Sequence, residues 1–328
     1  MEQIEYKVDN PVVLFEKGKV PMSTRASKAF KVAGMEAPCE ILLDRFVIAH
    51  IYARSRTDLF LAQGFNAARE RLWQMDLWRK RGLGELAKDL GSDYLNQDRA
   101  SRLLLYRECL DAEWSHYGTH ARATLEAFTA GVNAYVSLAR SDPVFLPVEF
   151  SILGYFPDYW HAEDILRIRS HCLVQNVISE VQRAFIARTA GLSVDHYRVG
   201  LQPTWRTEIP LGLDMAEIPD DVLDTYLLAT SGVRFGSDTF SEPLALPDGS
   251  NNWAIAPWKS TTGRALFAND PHRTHSAPGL RYIVHLCAPG IDVAGAGQPY
   301  LPGISSGHNG RVSFGFTVFQ IDQVCVDR

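Results

Sequence analysis

The most regular hydrophobic pattern in the chain runs over residues 57–80. Phe60, Leu61, Phe65, Ala68, Leu72, Met75 and Leu77 trace one apolar face of a helix. Thr57 followed by Asp58 supplies its N-terminal signal, Arg79, Lys80 and Arg81 suit the negative end of the helix dipole, and Gly82 marks the stop. Ahead of it, the run CEILLDRFVIAHIYA over 39–53 is apolar and rich in β-branched residues, which predicts one or two strands interrupted near Asp44 and Arg45. Further helical stretches are predicted at about 121–138, 162–190 and 219–230, each bounded by Gly, Pro or Asp. After residue 231 the pattern changes: GVRFGSDTFSEPLALPDG carries Gly, Ser, Pro and Asp at linker density. Short β-like runs follow at 253–258, 265–268, 282–286, 291–294 and 312–319, separated by Gly and Pro turns. The expected organisation is a mainly helical segment over 1–230, a linker over 231–249 and a β-rich segment over 250–328, an α+β chain.

Composition narrows the function classes. The chain has 328 residues, 46% of them hydrophobic and 22% charged, which is a globular composition. Its 33 Lys and Arg against 38 Asp and Glu give a net charge of -5, without the basic excess of a phosphate-backbone binder. Five cysteines (Cys39, Cys109, Cys172, Cys287 and Cys325) are scattered without a CxxC, so neither a disulfide framework nor a zinc knuckle is expected. The first thirty residues hold no signal-peptide core, and no run reaches about 18 apolar residues. The chain as given is expected in the cytoplasm, or in the periplasm or secreted if its native start lies elsewhere.

Three short motifs have bland readings. Gly303-Ile304-Ser305-Ser306-Gly307 matches the G-x-S-x-G of an esterase elbow, but Pro302 precedes it, a His-Asn-Gly turn follows, and no histidine remains after His308 to complete a triad. Gly82-Leu83-Gly84-Glu85-Leu86-Ala87 fits a dinucleotide fingerprint, yet it follows a helix and reads as a helix break. The pairs His116/His120 and His272/His275 lack the glutamate of a zincin motif.

Gly-Ser-Asn-Asn-Trp at 249–253 reads by itself as a turn. Its surroundings change that reading. GSNNWAIAPWKSTTGRALFANDPH, followed by PGIDVAGAGQPYLPGISSGHNGRVSFGFT, resembles the start of the β-subunit in the penicillin acylase family of N-terminal nucleophile hydrolases. His50-Ile51-Tyr52-Ala53, the stretch 58–64, and ARERLWQMD over 68–76 resemble the family's α-subunit signature, and PVEFSILGYFPDYW over 147–160 resembles a second α-subunit stretch. The resemblance extends over about residues 40–328 in the family's order. It implies an αββα sandwich with a mainly helical N-terminal segment.

It also implies a chemistry. The precursor would cut itself between Gly249 and Ser250, and the new terminal Ser250 would be nucleophile and base together. Glycine can take the strained backbone angles that such a cut requires. The freed α-amino group, with a reference pKa of about 7.7–8.0, can take the hydroxyl proton through one water. An esterase centred on Ser305 and a non-catalytic scaffold that never matures are the alternatives. The resemblance puts His272 beside the nucleophile, against a reading as turn filler after Asp270-Pro271. It puts the oxyanion N-H and part of the acyl pocket at Val318, and Arg273 near that pocket, pointing either inward to a polar acyl chain or outward to solvent. Calcium ligands fall at Glu180, Asp322 and Val324. Cys325 stands where a further aspartate is expected, so either Asp327 substitutes or the site is weakened.

The implied partners are a small acyl amide and the two segments of one precursor, with neither nucleic acid nor membrane. In the family the β-subunit continues for several hundred residues and supplies further catalytic groups. The expectation is therefore an N-terminal portion that carries the nucleophile without turning over by itself.

Overall fold

The structure, a computed structural model, describes residues 3–8, 26–169, 177–198, 208–235, 249–272 and 275–317. Its strands are β1 (Gln3–Val8), β2 (Ala26–Lys31), β3 (Cys39–Leu43), β4 (Ala49–Tyr52), β5 (Ser250–Ile255), β6 (Leu266–Pro271), β7 (Tyr282–Ala288), β8 (Ile291–Gly297), β9 (Ser306–His308) and β10 (Ser313–Phe314). Its helices are α1 (Arg56–Leu83), α2 (Leu86–Leu90), α3 (Leu95–Leu104), α4 (Leu110–Ser115), α5 (Ala121–Ser141), α6 (Val148–Leu153), α7 (Ala162–Arg169), α8 (Val177–Ala190), α9 (Leu192–Arg198) and α10 (Asp224–Thr230). Helix and sheet are both present, as the α+β reading expects.

The chain divides into two compact units, each made of three stretches of sequence. The first comprises residues 1–79, 107–166 and 237–318. It holds an eight-stranded sheet in the order β10-β9-β8-β7-β4-β3-β1-β2 and the separate pair β5-β6. Alternation explains the middle of that sheet: β7 buries Tyr282, Val284, Leu286 and Ala288 and turns Ile283, His285 and Cys287 to the other face. β4 adds Ala49 and Ile51, and β3 adds Cys39, Ile41 and Leu43, to the same core. The predicted interruption at Asp44 is a tight turn. The Asp44 carboxylate accepts the N-H groups of Phe46 (2.8 Å) and Ile48 (2.9 Å), which holds the β-branched Val47 at a left-handed φ of 65°.

Helix α1 packs on this core through Leu59, Leu61, Phe65, Leu72 and Met75, and α5 brings Phe128, Val132 and Val136. The two helices meet backbone to backbone. A methyl group on Gly131 would sit on the Leu61 carbonyl, and one on Gly64 on the Phe128 carbonyl. Gln63 is buried and fully used: its amide donates to the Tyr282 hydroxyl and the Gly303 carbonyl, both at 2.9 Å, and its carbonyl accepts the Gly303 N-H at 2.8 Å. Burial pushes the Tyr282 phenol far above its ordinary range, so it stays neutral there. The two α-subunit-like stretches meet: Trp73 packs edge-on to Phe150 at 5.1 Å, and buried Asp76 accepts from the Tyr155 hydroxyl at 3.1 Å. Asp164 pairs with Arg79 at 2.7 Å.

The second unit comprises residues 80–106, 167–236 and 319–328, and its described residues are helical or irregular. Lys80 is fully buried and pairs with Asp89 at 2.5 Å. The Asp98 side chain caps α2 by accepting the N-H groups of Leu86 and Ala87, both at 2.8 Å. Arg81 reaches the carbonyls of Thr230 and Ser231 at the C-terminal end of α10.

Several boundaries differ from the expected ones. The N-terminal cap of α1 is Ser55, whose hydroxyl accepts the Asp58 N-H at 3.0 Å, and not Thr57. The helix continues through Gly82 and ends where Gly84 turns to a φ of +68°. The expected helix at 162–190 is described as α7 and α8, with 170–176 outside the described residues, and α10 begins at Asp224 after a turn. β1 and β2 have no counterpart among the predicted elements. Among the described residues no helix is long and apolar enough to cross a membrane.

The helix crossing yields a direct check. Gly131→Ala is expected to lower stability by about 3 kcal/mol in urea unfolding, through overpacking against the α1 backbone. Gly118→Ala, where a methyl group meets nothing within 4 Å, serves as the control and should shift stability by less than about 0.5 kcal/mol. Equal midpoints for the two variants would contradict the crossing.

Candidate active site

Ser250 is the first residue of β5. The antiparallel register sets it opposite Pro271 at the end of β6, which brings His272 alongside. Two hydrogen bonds converge on the Gly249 carbonyl oxygen: the Ser250 hydroxyl donates at 2.6 Å and the His272 backbone N-H at 2.8 Å. A Cβ at position 249 would stand 3.0 Å from His272 Nδ1, so glycine leaves room for the imidazole. The ring's Nε2 lies 3.2 Å from Asp270 Oδ2 and 3.4 Å from Asn251 Nδ2. The two contacts ask for different tautomers: Asp270 accepts from an Nε2 that carries hydrogen, whereas the Asn251 amide donates to a bare one.

This arrangement can support attack on one particular carbonyl. A hydroxyl lies against the Gly249 carbonyl group, and a backbone N-H points at the oxygen on which charge would develop. Asn269 braces the surroundings: its amide nitrogen lies 3.4 Å from the Asn251 carbonyl and 3.1 Å from the Phe316 carbonyl. The chain passes Asn269 at Gly315, where a Cβ would fall inside the Asn269 side chain. β6 borders an open cleft of about 920 Å³ whose wall includes Phe267, Asp270, His272, Ala296, His308 and Phe314. Ser250, on the neighbouring strand, is not part of that wall.

Of the residues singled out from the sequence, Gly249, Ser250 and His272 come together. Arg273, Val318, Asp322, Val324 and Asp327 lie outside the described residues. Glu180 is half-buried in the first turn of α8, where an acidic side chain also suits the helix dipole. Among the described residues no three His, Cys, Asp or Glu side chains converge to hold a metal ion, so calcium has Glu180 as its one described candidate ligand. Asp270, Asn251 and Asn269 were not singled out, although their neighbours on the hairpin were. Ser305 does not stand on a strand-to-helix elbow: its hydroxyl donates to Gln298 at 2.5 Å and the chain enters β9 directly.

The profile of the penicillin amidase family matches residues 38–326. This chain belongs to that family. Penicillin acylase 2 proenzyme of Pseudomonas sp. (strain SE83) is 32% identical over 301 residues, covering 88% of this chain and 37% of that protein. The acyl-homoserine lactone acylase QuiP of Pseudomonas aeruginosa is 30% identical over 266 residues, covering 80% of this chain and 31% of that one. Penicillin G acylase of Escherichia coli is 24% identical, over 85% and 38% respectively. Among solved structures, a thermostable penicillin G acylase from Alcaligenes faecalis aligns with a TM-score of 0.44 and 22% identity, over 53% of this chain and 98% of that chain. The chain thus spans about a third of the length of the curated family members it matches.

Asn269 offers a test of the brace. Asn269→Ala removes the donor that faces the carbonyls of Asn251 in β5 and Phe316 beyond β10 and is expected to cost about 1 kcal/mol in urea unfolding. An unchanged midpoint would count against it.

Proposed function

We propose that this chain is the self-processing, nucleophile-bearing part of an acylase that hydrolyses the amide between an acyl chain and an amine. The observation that supports it best is the pair of hydrogen bonds on the Gly249 carbonyl, from the Ser250 hydroxyl and the His272 N-H, within a stretch matched by the penicillin amidase profile.

In the processing step the Ser250 Oγ attacks the Gly249 carbonyl carbon, and the His272 N-H stabilises the resulting oxyanion. The Ser250 nitrogen takes a proton and leaves as an amine, so the peptide bond becomes an ester. Water then hydrolyses the ester, releasing the Gly249 carboxylate and a free Ser250. In the hydrolytic step the new α-amino group, near its reference pKa of about 7.7–8.0, takes the hydroxyl proton through one water as Oγ attacks the substrate amide. The amine departs with that proton, leaving an acyl ester on Ser250 that water clears. The cleft beside β6 presents Phe267, Ala296 and Phe314, which suit the apolar part of an acyl chain. We assign processing to the groups named here. Turnover belongs to the longer arrangement typified by the relatives, whose names include penicillin and acyl-homoserine lactone acylases.

Intact-mass and N-terminal analysis of the purified protein tests the reading. The expected products are one piece ending at Gly249 and one beginning at Ser250, with Ser250→Ala remaining a single uncut chain. A cut that persists in Ser250→Ala, or a precursor that stays whole while hydrolysing acyl amides, would overturn it. A whole precursor without any amidase activity would instead favour the non-catalytic scaffold.

A further inference from the structure

A second cluster of chemically competent side chains lies on the face of the large sheet opposite its core. The parallel register of β4 and β7 sets His50 directly beside His285. Their Nδ1 atoms are 3.1 Å apart and their ring planes are inclined by 79°. Each ring turns its other nitrogen to a carboxylate: His285 Nε2 lies 2.8 Å from Asp292 Oδ1, and His50 Nε2 lies 3.7 Å from Asp44 Oδ2. Asp44 is fixed by the N-H groups of Phe46 and Ile48, whereas the Asp292 side chain is 77% exposed and meets His285 from solvent.

Hydrogen-bond chemistry then decides what can lie between the rings. An ionised carboxylate accepts and never donates, so Asp292 holds hydrogen on His285 Nε2 and leaves the His285 Nδ1 lone pair facing His50. His50 Nδ1 meets that lone pair either with a hydrogen, closing a direct bond between the rings, or with a second lone pair that a cation must join. Imidazole nitrogens bind Zn²⁺ at about 2.0–2.1 Å in tetrahedral geometry, which separates two ligating nitrogens by about 3.3 Å. The observed separation is within a few tenths of an ångström of that value. A carboxylate on the far nitrogen is the arrangement that orients histidines bound to metals.

We propose that His50 and His285 form a two-imidazole site for a divalent transition-metal ion, Zn²⁺ or Cu²⁺, with Asp44 and Asp292 as positioning residues. Imidazole suits these ions, whereas Ca²⁺ takes oxygen ligands. The side chains are 32% and 20% exposed, so an ion reaches them from solvent. Because no third ligating side chain converges among the described residues, water fills the remaining positions. Neither histidine lines the cleft beside β6. One consequence rests on the processing proposed above: His50 precedes the Gly249–Ser250 bond and His285 follows it, so a bound ion would clip together the two pieces that the cut creates.

Calorimetric titration of Zn²⁺ into the untagged Ser250→Ala chain tests the site whether or not the wild-type bond is cut. The expected result is one equivalent bound, abolished by His50→Gln and by His285→Gln, weakened about tenfold by Asp292→Asn and unchanged by His196→Gln. Electron paramagnetic resonance of the Cu²⁺-loaded parent chain should resolve coupling to two imidazole nitrogens, a count that needs no variant to fold. Absence of binding, binding that survives either histidine substitution, or a spectrum without nitrogen coupling would overturn the site and leave only a shared proton between the rings.

Discussion

The pairing of β4 with β7 holds the sheet of this protein together. In the strand order, every strand on one side of that joint comes from residues before 53 and every strand on the other from residues after 281. The two four-stranded halves share a ladder of Ala49–Tyr52 against Val284–Cys287. Parallel pairing is slightly weaker per residue than antiparallel pairing, so the joint needs support from elsewhere. Helix α1 provides it by packing Leu59, Phe65 and Leu72 into the core both halves share, and Gln63 ties the helix to Tyr282 and Gly303 in the later half.

This layout would tolerate the proposed cut between Gly249 and Ser250. That bond lies between the two halves in sequence, yet no pair in the eight-stranded sheet requires it to be intact. The cut would exchange one covalent tie for a surface already buried by strand pairing and core packing. It would also release the β5 end on which the hydroxyl of Ser250 sits. The His272 N-H that donates to the Gly249 carbonyl is supplied by the β6 register, so one hairpin carries both the Ser250 hydroxyl and that donor. His50 and His285 meet across the outer face of the same seam.

Legibility in the sequence followed the range of each interaction. Helix α1, the β3-β4 turn at Asp44 and the later strands announce themselves through local periodicity and turn chemistry. Ser55 does not stand out as the cap because Thr57 beside Asp58 carries the same kind of signal two residues later. β1 and β2 went unmarked because residues 1–38 show no comparable pattern. The order of the sheet was illegible, since β4 and β7 are separated by more than two hundred residues and nothing local specifies that they pair. His50 and His285, 235 positions apart, share that fate. Ser250 and His272 were legible through family resemblance rather than periodicity. Asp270 and Asn269 became informative once the hairpin register placed them beside it.

The most direct measurement of the central claim separates the covalent tie from the packing. A specific protease site inserted between Thr239 and Phe240 allows the chain to be cut at will, whatever its own processing does. The account predicts that the two pieces remain associated in native mass spectrometry and on gel filtration, and part only in denaturant. Pieces that separate in native buffer would contradict it.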